Sequence, residues 1–373
     1  MIKRSLQENI ESNFFKGKAI ILLGPRQTGK TTLIKEIMNS HNKVLWLSGD
    51  EPDIREKLSS INSTDLRFLI GKNKFLIIDE AQRIQNIGLT LKIIIDQIPD
   101  VQLVTTGSSA FNLKNDTDEP LTGRKFEYQL FPLSFSELCN QFGFLEETRM
   151  LTRRLIYGSY PDVVNNPGNE KEILFQLSDS YLYKDLLTFE GIKKPEYLFK
   201  LLKALALQVG NEVSYNEIGQ LIGLDNQIVE KYIDLLEKSF VIFKLTALKR
   251  NLRNEIKKGK KIYFYDNGIL NAVNAQFANL DKRNDVGALW ENYLISERIK
   301  KIHYNKLWSN QYFWRTHEQK EIDYIEDKDG ILHSYEFKWN SKTKAKIPKS
   351  FANAYPNHEF NLINKDNYHE FLR

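Results

Sequence analysis

The chain has 373 residues, 41% of them apolar and 27% charged, which is too much for one ordinary core and calls for two or three domains. Its one cysteine, Cys139, excludes an internal disulfide, and no apolar run approaches the ~18 residues of a membrane span, so no membrane partner and a reducing cytoplasm are expected. A net charge of +5 permits nucleic-acid binding without requiring it.

The N-terminal stretch MIKRSLQENIESNFFKGK is amphipathic and carries acids. It lacks the continuous apolar centre of a signal peptide and reads as a helix packed on the first domain. Four short runs follow, KAIILL (18–23), KVLWL (43–47), KFLIID (74–79) and VQLVTT (101–106), with helix-type sequence between them. That alternation predicts an α/β domain with a mainly parallel sheet covered on both faces.

After the first run comes GPRQTGKT, Gly24 to Thr31, which fits G-x-x-x-x-G-K-[ST] between a strand and a helix. Glycines let the backbone wrap an anion, and successive amides with the helix N-terminus stabilise phosphate oxygens. The phosphate-binding set is Gly24, Pro25, Arg26, Gln27, Thr28, Gly29, Lys30, Thr31 and Thr32. Lys30 is expected to reach the β- and γ-phosphates of ATP, and Thr31 to ligate Mg²⁺.

In KFLIIDEAQ the strand ends in Asp79, a second Mg²⁺ ligand, and Glu80 is placed to orient the attacking water. Thr106 or Ser108 in VTTGSS can contact the γ-phosphate or cap a turn. NLKNDTDEPLTGR (112–124) reads as a polar loop. Its Arg124 is either a solvated loop residue or an arginine finger; a finger acting in trans requires a homo-oligomer.

From about 132 to 246 the pattern is mostly helical. Residues 214–245 read as a short helix capped by Ser214 and Glu217, a turn at Gly223, a longer helix and a strand. Ile218, Leu221 and Ile222 are expected to pack on Val229, Ile233 and Leu236. This is a helix-turn-helix with a candidate wing, suited to DNA, or to lid or protein contacts, since DNQIVEKYIDLLEK is not strongly basic. The adjacent KRNLRNEIKKGKK (249–261) is basic enough for phosphate backbones, or is a solvated hairpin.

Strand-like runs return after 260: KIYFYD, QYFWRT, EIDYIED and ILHSYEFKW. Domains are therefore expected at 1–140, 141–261 and 262–373. Glu291 lies on a helix, Asp323 on a strand, and Glu336 and Lys338 two apart on the next, facing one side. The order Glu, Asp, Glu-x-Lys resembles the PD-(D/E)xK nucleases. Asp323 and Glu336 would hold one Mg²⁺, Glu291 would complete its shell, and Lys338 would sit by the attacking water. An ordinary acid–base pair on a sheet face is the competing reading. His303, His317 and His333 are not spaced for zinc. Trp290, Tyr293, Trp308, Tyr312, Phe313, Trp314 and Trp339 read as core aromatics.

Together, GPRQTGKT, FLIIDEAQ, TTGSSAF, LTGRKFEYQLFPLSFSEL, YGSYPDVV, GALWENYLISE, FWRTHEQKEIDYI and YEFKW resemble the AAA-type ATPases of bacteria and archaea labelled AAA_14 and DUF4143. The resemblance spans nearly the whole chain. It implies an AAA-like P-loop core, a winged-helix-like middle and a restriction-endonuclease-like end. The expected protein is a Mg²⁺-dependent ATPase that drives either a nuclease-like domain acting on nucleic acid or a non-cutting module that binds DNA or protein.

Overall fold

The computed structural model describes residues 2–108, 121–187, 195–248, 259–316 and 318–373. His317, residues 112–120 of the polar loop and residues 249–258 of the basic run lie outside them.

The apolar runs of the N-terminal third form one parallel sheet. Its strands are β1 (Ala19–Leu23), β2 (Val44–Ser48), β3 (Phe75–Asp79), β4 (Gln102–Gly107) and β5 (Lys125–Gln129), in the order β2-β3-β4-β1-β5. Every pairing is parallel. The three central strands are buried along their whole length, while edge strands β2 and β5 are partly exposed. Central β1 and β3 read as apolar runs, whereas the partly exposed edge strand β5, KFEYQ, keeps polar residues and is invisible to hydropathy. Helices α1 (Leu6–Glu11), α2 (Lys30–Met38), α3 (Pro52–Ser59), α4 (Ser63–Ile70) and α5 (Ile87–Gln97) flank the sheet. As expected, α1 packs on this domain, burying Leu6 and Ile10. Arg4, just ahead of it, donates from Nη1 to Thr28 O and from Nη2 to Phe131 O, both at 2.6 Å.

The chain divides into two units, one of residues 1–132 with Lys238–Phe240 and one of Leu133–Glu237 with Val241–Arg373. The second is organised by six strands: β6 (Ile242–Ala247), β7 (Lys260–Phe264), β8 (Asn310–Arg315), β9 (Glu321–Lys328), β10 (Ile331–Phe337) and β11 (His358–Ile363). Their order is β11-β10-β9-β8-β6-β7. Pairs β6–β7, β8–β9 and β9–β10 are antiparallel; β6–β8 and β10–β11 are parallel. Neighbours Tyr324 and Ile325 on β9 serve opposite faces. Ile325 joins Trp314, Ile322, Leu332 and Phe351, whereas Tyr324 meets Phe337 and Phe371. Helix Val286–Tyr304 buries Leu289, Tyr293 and Ile295, as its spacing predicts.

Four expectations change here. A border at 262 would cut β7, and the strand after the helix-turn-helix pairs with β8 as part of the large sheet. Helices Tyr215–Ile222 and Asn226–Lys238 do form, with Gly223 as the left-handed cap, and Ile218 is buried with Val229, Ile233 and Leu236. Leu221, however, is 70% exposed, because it falls on the outer side of a two-turn helix. Trp308 is likewise exposed, at 87%, whereas Trp290, Tyr293, Phe313 and Trp314 are core.

Candidate functional site

Parallel pairing brings the C-terminal ends of β1, β3 and β4 to one edge, with Leu22 opposite Thr106 and Ile77 opposite Val104. The segment Gly24–Gly29 leaves β1 at that edge and turns into α2 through Gly29, whose φ of 90° makes it a left-handed N-cap. Gly24 is required for space: a Cβ there would lie 2.1 Å from Leu130 O. The loop is fastened from within, since Thr28 Oγ1 donates to Pro25 O at 2.8 Å and Arg4 holds Thr28 O.

Lys30 is buried, and its Nζ donates to Gly24 O at 2.8 Å and Pro25 O at 2.7 Å. Thr31 Oγ1 donates to Asp79 Oδ2 at 3.0 Å, which sets a hydroxyl and a carboxylate side by side at the start of α2. Thr106 Oγ1 donates to Asp79 Oδ1 and accepts from Glu80 N–H. Glu80 sits in the left-handed region, with φ 50°, which turns its carboxylate out of the strand direction. Gln82 Nε2 donates to Glu80 Oε2 at 2.6 Å and to Ser108 Oγ at 2.9 Å. Thr106 thus positions Asp79 and the Glu80 backbone directly, and Ser108 acts on Glu80 through Gln82.

A cavity of about 320 Å³ opens over this ground. Arg26, Gln27, Gly29, Lys30, Thr31 and Thr32 form its floor, and Glu80, Asp50 and Arg83 its wall. Asp50 and Arg83 went unnoticed in the sequence because no motif carries them; they meet, 3.0 Å apart, through the parallel pairing of β2 with β3. Arg124 lies elsewhere. Its Nε pairs with Asp96 at 2.7 Å, and it is not among the residues lining the cavity. The cradle fits a triphosphate: a loop that enters the N-terminus of α2, a glycine with no room for a side chain, a buried ammonium bonded to neutral carbonyls, and a hydroxyl–carboxylate pair for a divalent ion.

The second acidic constellation lies in the second unit. Glu291 comes from helix Val286–Tyr304, Glu321 and Asp323 from β9, Glu336 from β10, and Lys338 from just beyond it. Asp323 Oδ2 accepts Phe337 N–H at 2.8 Å, so Asp323 and Glu336 are on neighbouring strands, as the sequence suggests. Glu336 is bound to Lys338, Nζ to Oε1, at 2.6 Å. The unexpected member is Lys261 of β7. Its Nζ lies 3.1 Å from Glu291 Oε1 and against Glu321, while Tyr263 Oη donates to Glu291 Oε1 at 2.6 Å. Burial, with the charge of Asp323, lifts the Glu291 carboxyl to about 7 despite Lys261. Burial likewise raises Asp323 and Glu336. Burial alone would lower Lys261, but Glu291, Glu321 and Asp323 hold it above the usual lysine value. Among the described residues, no three His, Cys, Asp or Glu side chains are gathered to hold a metal ion. With an ammonium among them, these carboxylates do not fit a divalent cation.

His333 pairs with Glu359 at 2.9 Å, which is a surface contact. On helix Asn226–Lys238, Glu230 pairs with Lys260, and Asp234 and Glu237 with Lys244. Among the described residues, no helix is long and apolar enough to cross a membrane.

Residues 16–139 match the AAA domain family AAA_14, 148–283 a domain of unknown function (DUF8612), and 286–370 another (DUF4143). An uncharacterized protein of Mycobacterium tuberculosis is 24% identical over 347 residues, covering 91% of this chain and 74% of its own length. One from Haemophilus influenzae is 26% identical, covering 84% and 80%, and one from Methanocaldococcus jannaschii is 22% identical, covering 96% and 83%. Among solved structures, a Walker-type ATPase of Pyrococcus abyssi superposes with a TM-score of 0.51 at 16% identity, over 74% of this chain and 96% of that one; it shares the fold. The chain thus carries an AAA_14 domain followed by a C-terminal DUF4143 domain, the pairing of the AAA-type family that its motifs resemble.

Proposed function

We propose that the protein hydrolyses ATP with Mg²⁺ at the cavity over α2, and that its second unit is a binding module, for DNA or a protein, rather than a nuclease. The observation that carries the first half is the juxtaposition of Lys30 with the Thr31–Asp79 pair at 3.0 Å. Lys30 would exchange two neutral carbonyls for phosphate oxygens, a gain because its charge is then met by charge. Thr31 and Asp79 would hold Mg²⁺, which offsets the charge of the phosphate oxygens. Glu80, held by the Gln82 amide on Oε2, orients the attacking water and takes its proton. Arg83 and Arg26 face the cavity, so cationic help at the phosphates does not require Arg124 or a second copy.

Lys30→Ala should abolish nucleotide binding. Glu80→Gln should keep it and lower turnover by about 10²-fold or more. Equal hydrolysis by Glu80→Gln would remove that residue from the mechanism.

For the second unit, the paired acids of helix Asn226–Lys238 count against its lying on phosphates as a recognition helix. Incubating plasmid and single-stranded DNA with Mg²⁺ or Mn²⁺, with and without ATP, decides on cleavage. Salt-sensitive binding without cutting supports the module. Cleavage lost in Asp323→Ala and Lys338→Ala would restore the nuclease reading.

A further inference from the structure

The second acidic constellation has the residue order of a metal-dependent nuclease, yet a buried ammonium sits against two of its carboxylates, Glu291 and Glu321. Lys261 is 0% exposed and reaches three elements at once. Its Nζ lies 3.1 Å from Glu291 of helix Val286–Tyr304 and against Glu321 at the start of β9, on its own strand β7. The ammonium cannot easily leave. Tyr263, two residues along the same face of β7, donates to the same Glu291 Oε1 at 2.6 Å, and the Phe313 ring centroid lies 5.4 Å from Nζ. The remaining carboxylates are taken from other directions: Asp323 by the Phe337 amide, Glu336 by Lys338.

We infer that the Lys261 ammonium is the resident cation of this acid cluster, performing the charge-neutralising and strand-clamping work of a divalent ion, so that the native cluster takes no such ion. A buried carboxylate set needs a cation of some kind. A lysine on the edge strand supplies it at every pH the protein meets and without exchange with solvent. The inference stands apart from ATP chemistry, since none of these residues belongs to the unit that holds the P-loop.

It is tested on chelator-treated, nucleotide-free, full-length protein by counting bound Mn²⁺ with electron paramagnetic resonance. Wild type, Glu291→Gln and Asp323→Asn should bind the same number of ions. Lys261→Met, which keeps the stem and removes the charge, should gain one ion per chain and a Mn²⁺-dependent rise in melting temperature. Both gains should vanish when Asp323→Asn is added. A wild type that loses one equivalent of Mn²⁺ in Glu291→Gln or Asp323→Asn overturns the inference. So does a folded Lys261→Met that gains none. If Lys261→Met does not fold, the comparison of wild type with the two carboxylate variants decides alone.

Discussion

Arg4 links the N-terminal helix to the phosphate loop, and replacing it by Met isolates that link. The side chain is 7% exposed. Met keeps most of the apolar stem, so the change removes chiefly the guanidinium and its 2.6 Å bonds to Thr28 O and Phe131 O. Hydrogen bonds from charged donors are each worth ~1.5–3 kcal/mol, and two of them give about 3–6 kcal/mol of lost stability. That is a large part of the ~5–15 kcal/mol of a typical domain. Thr28 lies in the loop itself, so its release also loosens the amides that meet phosphate. If the loop then holds its binding geometry about one-tenth of the time, apparent affinity falls about tenfold. Urea unfolding followed by fluorescence measures the first effect, and titration with a fluorescent ATP analogue the second. Saturating nucleotide at about 100 Kd should return ~2.7 kcal/mol. A stability change below about 1 kcal/mol, with unaltered affinity, would refute the idea that Arg4 preorganises the loop.

Asp79→Asn removes the carboxylate that receives Thr31 and Thr106, so calorimetry should show the Mg²⁺-dependent gain in ATP affinity reduced at least about tenfold, with binding in chelator unchanged. Burial, with Glu147 nearby, pushes the Cys139 thiol up to about 11. Its thiolate is therefore scarce at pH 8, and iodoacetamide should label it about a hundredfold or more slowly than in urea, with the native rate rising as pH approaches that value. Gly158→Ala meets two obstacles, a φ of +68° and a Cβ 2.0 Å from Asp266 Oδ1. Because Asp266 also accepts Ser159 N–H at 2.7 Å, it cannot step aside, and the melting curve should report a loss of about 3 kcal/mol or more.

The phosphate loop was legible because its residues are contiguous: one motif after β1 carries the proposed anion cradle, and one apolar strand leads to Asp79 and Glu80. Strands β1, β3 and β4 were legible for a related reason, since every position in them is buried and their centres are apolar. What stayed hidden depends on edges and on pairing. The partly exposed β5 and β11, KFEYQ and HEFNLI, keep polar residues and give no apolar run. The β6–β8 pairing spans more than sixty residues and rests on contacts at Thr246 and Ala247, so the strand after the helix-turn-helix read as a local wing. Lys261 was hidden for the same reason. Only once β7 takes the sheet edge does a residue of a basic run face Glu291.

Two of the buried lysines, Lys30 and Lys261, then set the two units apart by physics rather than by motif. Lys30 donates to the carbonyls of Gly24 and Pro25, which are neutral acceptors. An incoming phosphate loses little by displacing neutral partners and gains charge-assisted bonds in their place. Lys261 is held by Glu291 and Glu321, which cancel its charge where it sits. Pulling it away would strand carboxylates in a buried site at a cost of several kcal/mol, so it binds its neighbours and nothing further. The same side chain is therefore poised for exchange in one unit and fixed in the other. Lys30→Ala should therefore remove nucleotide binding, whereas Lys261→Met should lower the melting temperature in metal-free buffer and leave nucleotide affinity unchanged.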